Sequence, residues 1–576
     1  MHPIRSLSAL TILASGALAN AASHETTCQA RFPMAVLADH GPDGVGLELA
    51  LLADESASLA ESERVLMTGV PLPDGSLVDL DLRRVALDDS ELVVRVDGAP
   101  ARQLDGGSAM LAGRIAGAAD SDVYLAFSTL GSRGWIRRGS ETFHLLAMPG
   151  EARDWSRSTS LLVSESTLLA HGARPPGCAS DELVVPGRGL FPLRAGSPRG
   201  GSSMLTPTTL TCRMALETDY QLFQDFGNNL AAEQAYVTQL FAAGSARYVE
   251  QVNTVLQRVY IAYYTNPSDP WTSQDIGGSS IDLLYEFQGA WAGNLPNGAN
   301  LANFLSGADL GGGVAWLDVL CDPTYGFAVS GNITRVTGLT QFPVVQGPSN
   351  WDFMVFTHET GHNFGTPHTH DFCPPIDQCA PPGYFGNCQT QQVCITNGTL
   401  MSYCHLCPNG LNNIYPYFAP ECVTIMRQRA EASCIGPWCT GPTSYCPATF
   451  NTTGLPGALA GTGSSSIAAN TFTLTASQLP ANKTVLFFYG DTQVQVAQGQ
   501  GFRCVGGNVF RLLPALNSGP GGSVSRLLDF THAPAGSGPG KIEPGTLWNF
   551  QAYYRDPAGG GGLYNLTEAL AVPFCP

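Results

Sequence analysis

Charged side chains are scarce in this sequence, which excludes several kinds of partner. Asp, Glu, Lys and Arg make up only 13% of the 576 residues, and the formal net charge is -18. No run of Lys or Arg is present. Because nothing basic is available to neutralise phosphates, we exclude nucleic acid and an anionic membrane surface as partners. The acidic balance is typical of a surface that faces water.

Apolar runs long enough to span a bilayer are also lacking. The run from about Leu7 to Leu18 is shorter than the roughly 20 residues that a membrane-spanning helix needs. It follows Arg5 and precedes small residues at 19–22, an order typical of a secretory signal peptide, which we predict over residues 1–21. We therefore expect a secreted protein without a transmembrane anchor. An apolar first strand or a membrane anchor is the alternative.

Glycine, proline and cysteine are plentiful by contrast. The 65 Gly and 40 Pro residues favour strands, turns and loops over long surface helices. The 16 cysteines, an even number, indicate an oxidising compartment and a disulfide framework. The length exceeds what one core supports, so we expect three or four folded units.

The pattern of residues 22–205 predicts a β-rich N-terminal unit. Strand-like stretches include LVVRV at 92–96 and VYLAF at 123–127, separated by Gly, Asp and Ser clusters. The unit ends in a segment at 186–204 in which Gly, Pro and Ser surround three arginines. This composition predicts an exposed connector that is open to proteolysis.

Residues 206–436 predict a mixed α/β unit. Apolar residues at helical spacing indicate helices over 231–257 and 282–291. VYIAYY at 259–264 is strand-like, and GGGVAWLDVLC at 311–321 is typical of a strand entered through glycines.

Beyond that unit, residues 437–576 predict a separate β-rich, sandwich-like domain. Alternating strands such as NTFTLTAS at 470–477 and VLFFYG at 485–490 follow one another without a long helical period. A domain of this kind either contacts a surface or a glycan or serves as a stabilising appendage.

The stretch HETGHNFGTPH, residues 358–368, carries the clearest chemistry. A cap at Ser349 or Asn350 and the apolar spacing that follows predict a helix over 350–363. On that helix His358 and His362 are four residues apart and share a face. Two imidazoles one turn apart bind the same ion.

The continuation of this stretch predicts a third ligand. Gly365 takes a left-handed conformation that ends the helix and turns the chain back, so that His368 reaches the ion. Three neutral nitrogens leave the fourth position to water, which is typical of a catalytic zinc. Glu359, beside the first ligand, takes the proton of that water. A surface histidine cluster or a structural ion is the alternative.

These motifs resemble the zinc signature of the metzincin metalloproteases, in their reprolysin or adamalysin branch. Gly361 and Asn363 are typical of that branch, and Met401 in GTLMSYC, 33 residues after His368, resembles its Met-turn. An ordinary core methionine is the alternative for Met401. The resemblance implies a catalytic domain in which a five-stranded mixed sheet packs on helices, with one Zn²⁺ ion and hydrolysis of peptide bonds.

The resemblance also assigns a substrate strand and a processing scheme. Residues Gly313, Val314, Ala315, Trp316 and Leu317 resemble the edge strand that binds extended protein or peptide substrates. It implies further that 22–205 is a prodomain. Cys178, just before the connector, then either occupies the open zinc position as a latency switch or pairs with Cys28 in a disulfide.

Three features depart from the family pattern. Thr369, His370 and Asp371 follow the third histidine, so His370 is an alternative ligand, although the glycine spacing favours His368. Tyr403, two residues after the Met-turn methionine, either stabilises the transition state or packs. Arg213 stands where the family has a calcium-binding carboxylate, so no calcium is predicted.

The sequence thus predicts a secreted, zymogen-like zinc metalloendopeptidase. The CxxC formed by Cys404 and Cys407 is a second zinc or redox pair or, as expected in a domain so rich in cysteine, two halves of ordinary disulfides. The alternative for the whole chain is a secreted binding or adhesion protein on a metzincin fold without turnover. Glu359 speaks against it, because a noncatalytic relative has no need of the base.

Overall fold

A computed structural model of the chain describes fourteen segments. These are residues 27–39, 46–59, 62–85, 87–89, 91–104, 107–149, 154–170, 183–186, 209–334, 351–437, 441–467, 469–544, 546–559 and 562–574. The predicted signal peptide, most of the connector and Cys178 lie outside the described residues. Within the described segments, none of the helices combines the length and the apolar character needed to cross a membrane.

The N-terminal unit is built of strands, as predicted. Its strands are β1 (Thr27–Arg31), β2 (Met34–Asp39), β3 (Leu47–Leu51), β4 (Arg64–Pro71), β5 (Leu77–Arg84), β6 (Val93–Val96), β7 (Ala99–Ala101), β8 (Ala109–Ile115), β9 (Asp122–Phe127), β10 (Arg133–Arg138), β11 (Glu141–Met148), β12 (Thr159–Ser164) and β13 (Leu183–Val184), and its helices are α1 (Ala53–Leu59) and α2 (Glu165–Ala170). Ten of them form one sheet in the order β1-β4-β5-β8-β9-β10-β11-β12-β3-β2. The other three strands join the next sheet.

The central unit holds most of the long helices. Its strands are β14 (Leu210–Thr218), β15 (Thr254–Tyr263), β16 (Leu301–Leu305), β17 (Val314–Leu317), β18 (Phe327–Ser330) and β19 (Gly436–Pro437), and its helices are α3 (Tyr220–Asp225), α4 (Leu230–Val252), α5 (Ser280–Trp291), α6 (Trp351–Asn363) and α7 (Pro420–Ala432). Strands β18, β16, β14 and β15 run parallel, and β17 runs antiparallel to β18. These are five mixed strands, as the resemblance implies.

The sheet, however, is larger than the predicted five strands. Its order is β13-β17-β18-β16-β14-β15-β6-β7, with β19 beside β14, so that nine strands take part. The addition has a physical reason: a strand at a sheet edge presents unpaired N–H and C=O groups that pair with any extended chain held beside it. Strands of the N-terminal unit therefore cover both edges. The stretch at 92–96, predicted as a strand of the N-terminal unit, belongs to this second sheet.

The first long helix is shorter than predicted. The expected helix over 231–257 ends at Val252, and the last residues of that stretch begin β15. Asn253 adopts a left-handed conformation with φ 49°, and its N–H caps the helix by donating to the carbonyl of Tyr248. Asparagine tolerates this conformation better than other residues with a side chain. Helical spacing alone did not reveal this boundary.

The C-terminal unit consists of two sheets. Its strands are β20 (Thr443–Tyr445), β21 (Ala458–Thr462), β22 (Thr473–Ser477), β23 (Thr484–Gln498), β24 (Gly501–Asn517), β25 (Val524–Leu527), β26 (Leu547–Arg555), β27 (Tyr564–Leu566) and β28 (Ala569–Pro573). Side chains of both sheets share one core, to which β22 gives Leu474 and β26 gives Phe550. Its surface or glycan contact stays a prediction.

Candidate metal centre

Helix α6 carries the first half of the histidine stretch. It covers 351–363, within one residue of the predicted 350–363, and all of its residues are buried. The cap predicted at Ser349 or Asn350 lies outside the described residues. At its C-terminal end, backbone N–H groups of Asp318 and Val319 donate to the carbonyls of His362 and Asn363. The residues that follow β17 are therefore fixed to the end of the helix.

Three imidazoles converge at this end of α6. Nε2 of His362 lies 3.1 Å from Nε2 of His358 and 3.2 Å from Nε2 of His368. Nitrogens about 2.0–2.1 Å from one tetrahedral ion are about 3.3 Å apart, so this spacing fits a zinc site. The three residues form a group whose ligand atoms could hold a metal ion.

The opposite nitrogen of each ring faces an oxygen. Nδ1 of His358 lies 2.7 Å from the carbonyl of Leu400, and Nδ1 of His362 lies 2.9 Å from the carbonyl of Thr366. A ring whose Nδ1 donates to a carbonyl carries its lone pair on Nε2, which is the form that binds metal. Burial lowers the pKa of His358 to about 4. The ring is therefore neutral at pH 7 and available as a ligand.

His368 has a carboxylate as its outer partner. Its Nδ1 lies 3.4 Å from Oδ2 of Asp371. The predicted turn at Gly365 has φ 90°, and a Cβ there would come 3.0 Å from the side chains of Arg429 and Asp318. Glycine is therefore required both by conformation and by space. This contact of Asp371 was not predicted, although a carboxylate three residues after the ligand was the available signal.

The alternative ligand His370 lies beside His368 and is not one of the three converging imidazoles. Its ring stacks on that of His368, with centroids 5.0 Å apart and an interplanar angle of 12°. The nitrogens grouped with His358 and His362 are those of His368. Tyr403, the candidate transition-state stabiliser, is buried, and its ring centroid lies 4.7 Å from that of His368.

Glu359 lies on α6 beside the first of these histidines. It is buried, and burial raises the pKa of its carboxyl well above the ordinary value. A Cβ on Gly313 would come 2.4 Å from Oε1 of Glu359. The glycine that precedes β17 therefore leaves room for this carboxylate, and the acid and the predicted substrate strand are neighbours.

Met401, the predicted Met-turn residue, is buried close to the histidine stretch. It is fully buried, and its Sδ lies 2.9 Å from the position that a Cβ on Gly361 would take. Its carbonyl accepts from the N–H of Thr369. The glycine inside α6 thus allows the methionine to approach the helix, which explains why a glycine is needed there.

The predicted substrate strand is not open. Of the residues 313–317, Val314–Leu317 form β17, and Gly313 precedes it. Leu183 and Val184 in β13 pair with Trp316 and Leu317 in a parallel ladder. Residues of the N-terminal unit therefore cover this edge, and this contact was not predicted.

The remaining predicted residues have structural partners. Arg213 donates to the carboxylate of Glu91 and to the carbonyls of Asn297 and Gly298. Both cysteines of the CxxC form ordinary disulfides, Cys379–Cys404 and Cys394–Cys407. Cys28 is not disulfide-bonded, and Cys178 lies outside the described residues.

Comparison with known proteins supports this part of the chain as a metallopeptidase. The family model Reprolysin_5, described as metallo-peptidase family M12, matches residues 208–410. No curated protein matches the chain by sequence. Among solved structures, the chain matches metalloproteinase-II from Bacteroides fragilis at 8% sequence identity and a TM-score of 0.32. The matched region covers 64% of this chain and 90% of the Bacteroides fragilis chain.

Proposed function

We propose that the chain, whose residues 208–410 match the model of metallopeptidase family M12, is a secreted zinc metalloendopeptidase with His358, His362 and His368 as zinc ligands. The observation that carries the proposal is the convergence of three Nε2 atoms at 3.1 and 3.2 Å while their Nδ1 atoms face oxygens. The five disulfides among the described residues support secretion into an oxidising compartment.

The residues around the site divide the chemistry between them. A bound zinc ion would supply Lewis-acid polarisation of the scissile carbonyl and lower the pKa of water. Glu359 accepts the proton of the attacking water and passes it to the leaving amine. The edge strand at 313–317 pairs with the substrate backbone and sets its direction. Tyr403, beside His368, donates to the oxyanion of the transition state once substrate is bound.

The experiment measures zinc content and chelator-sensitive cleavage of an unfolded protein substrate, after the connector at 186–204 has been cut by proteolysis of the folded protein. Glu359→Ala should retain zinc and fold and lose cleavage. His368→Ala should lose zinc, and the matched His370→Ala should keep it. A Glu359→Ala protein that cleaves as fast as the parent would refute the mechanism, and zinc without any cleavage would favour the binding-protein alternative.

We also propose that the N-terminal unit, residues 22–205, is a prodomain that keeps the enzyme latent. The support is β13, whose Leu183 and Val184 occupy the edge of β17 on which an extended substrate would pair. Removing the two-residue strand opens that edge.

Cys178 lies five residues before Leu183, and five residues reach at most about 17 Å. The alternative partner Cys28 is not disulfide-bonded. Both facts support a cysteine switch at Cys178. Thiol labelling of the unprocessed protein tests it: zinc should protect Cys178 and its removal should expose it, whereas a Cys28–Cys178 disulfide would rule the switch out.

We place the catalytic domain at 206–436 and a β-sandwich-like domain at 437–576. The support is the match over 208–410 and the separate core shared by the two C-terminal sheets. Limited proteolysis, read by mass spectrometry, should yield fragments that end near these boundaries.

A further inference from the structure

Residues 27–170 of the N-terminal unit are joined to the central unit through backbone hydrogen bonds. Strand β6 runs parallel to β15, and residues Val93–Val96 pair with Tyr260–Tyr263. The N–H of Asp97 donates to the carbonyl of Tyr263, and the carboxylate of Asp97 accepts from the backbone and the hydroxyl of Thr265. Without this unit β15 would be an exposed edge strand.

A second contact comes from one face of the N-terminal sheet. Side chains alternate between the faces of a strand, and β10 uses both faces. Ile136 lies in the core of the N-terminal unit, whereas Trp135 belongs to the core of the central unit. The ring centroid of Trp135 lies 4.7 Å from that of Phe353 on α6. The same alternation holds in β9, where Tyr124 faces the central unit and Val123 the N-terminal core.

The two arginines that flank Trp135 on this face are also buried in the contact. Arg133 donates to Oε1 of Gln239 on α4, 3.0 Å away, and lies 5.1 Å from the ring centroid of Tyr236. Arg137 donates to the carbonyl of Ile414 at 3.1 Å and lies 3.8 Å from the ring centroid of Tyr415. A guanidinium that is buried over an aromatic ring and donates to an oxygen across the boundary contributes to an interface.

Two arginines of the central unit also form ion pairs with carboxylates of the N-terminal unit. Arg258 of β15, only 2% exposed, forms two hydrogen bonds with the carboxylate of Asp89, at 2.7 and 2.6 Å. Arg247 of α4, 7% exposed, pairs with Asp122 of β9. Separation of the units would strip both arginines of these carboxylates and expose the apolar faces around them.

We propose that cleavage of the connector produces a two-chain protein, in which the N-terminal unit remains bound as a stable partner of the central unit. The contact has the character of a permanent interface, because a shared sheet, buried aromatic residues and buried paired charges occur in it together. Loss of the inhibitory strand β13 and loss of the whole N-terminal unit are then separate events. This inference concerns the assembly and stands whether or not the metal site is active.

The test begins with full-length protein that carries a recognition sequence for a site-specific protease between Gly200 and Gly201. After cleavage to completion, verified on a denaturing gel, size-exclusion chromatography is run in high salt. Both fragments should elute in one peak at the volume of the uncleaved protein. A central fragment that elutes by itself without denaturant would overturn the proposal. The same experiment in Glu359→Ala prevents self-digestion from obscuring the result.

A substitution in the contact provides a second readout. Trp135→Ala should raise the fraction of separated fragments in dilute urea by about tenfold or more, because it empties a buried aromatic site between the units. Leu77→Ala, at a position that is 70% exposed in the same sheet, is the matched control and should change nothing. If both variants separate like the parent, the contact at β10 does not hold the units together.

Discussion

The two edges of the central sheet are covered by the same N-terminal unit, but by contacts of different size. At β15 the added strand β6 pairs over four residues and has β7 on its other side. At β17 the added strand β13 pairs over two residues, and Val184 is 42% exposed. One edge is therefore built into the fold. The other is covered by a short, partly exposed strand.

The largest difference should appear in stability. Val94→Pro in β6 should lower the free energy of unfolding by about 3 kcal/mol, because this strand has neighbours on both sides and proline removes a donor from the ladder. The double substitution Leu183→Pro/Val184→Pro should cost about 0.5 kcal/mol or less. Urea unfolding of both variants measures this. Equal losses would mean that the two edges are equivalent.

Activity should respond in the opposite way. In the uncleaved chain, Leu183→Pro/Val184→Pro should raise the initial rate of cleavage of an unfolded protein by about tenfold, equivalent to about 1.4 kcal/mol, because it frees the edge of β17. Adding Glu359→Ala to this variant should remove all cleavage. An unchanged rate would mean that β13 does not limit access to the site.

A buried carboxyl group of the central unit, that of Asp352 on α6, should also make the free energy of unfolding depend on pH. Burial raises the pKa of Asp352, the partner of Tyr236, to about 7 from an ordinary 3.8. The folded state therefore binds a proton more tightly than the unfolded state does. The stability contributed is fully present below about pH 4 and is lost as the pH rises through about 7.

Asp352→Asn should flatten this dependence, because the amide still accepts from Tyr236 and does not titrate. The slope that remains should reflect the other buried carboxyls, among them Asp219, whose pKa burial raises to about 6, and Glu217 and Glu359, whose pKa values burial also raises. Urea unfolding between pH 4 and pH 8 measures both slopes, with Asp309→Asn, outside this network, as a control. An unaltered slope in Asp352→Asn would show that another group is responsible.

The smallest effect should come from the ion pairs on the β15 side. Glu91→Ala should lower the free energy of unfolding by about 0.5 kcal/mol or less, because both side chains of its ion pair are partly exposed, Arg213 to 28% and Glu91 to 39%. Asp89→Ala should cost about 1–2 kcal/mol, since it leaves the buried Arg258 without its carboxylate. Unfolding measurements at two salt concentrations test the ranking, which a larger loss in Glu91→Ala would reverse.

Local pattern was enough to predict much of this site. The helix over α6 and the convergence of its two histidines with His368 follow from residues that are close in sequence. Contacts over long sequence distances could not be predicted in this way. The ladder between β6 and β15 joins residues more than 160 positions apart, and nothing in the stretch at 92–96 distinguishes it from its neighbours in the other sheet. Helix α4 ends at Val252 because Asn253 adopts a left-handed backbone conformation, which the helical spacing of the sequence does not indicate.

Disulfides Cys373–Cys388, Cys379–Cys404 and Cys394–Cys407 crosslink residues 373–407, the segment that follows the third histidine and contains Met401. Cys404 is three residues from Met401, and the carbonyl of Leu400 is the partner of His358. These crosslinks therefore tie the segment that carries the carbonyl partner of His358 to the residues that follow His368. Disulfides form in an oxidising environment, so the redox conditions under which the chain folds decide how firmly the outer partner of His358 is held.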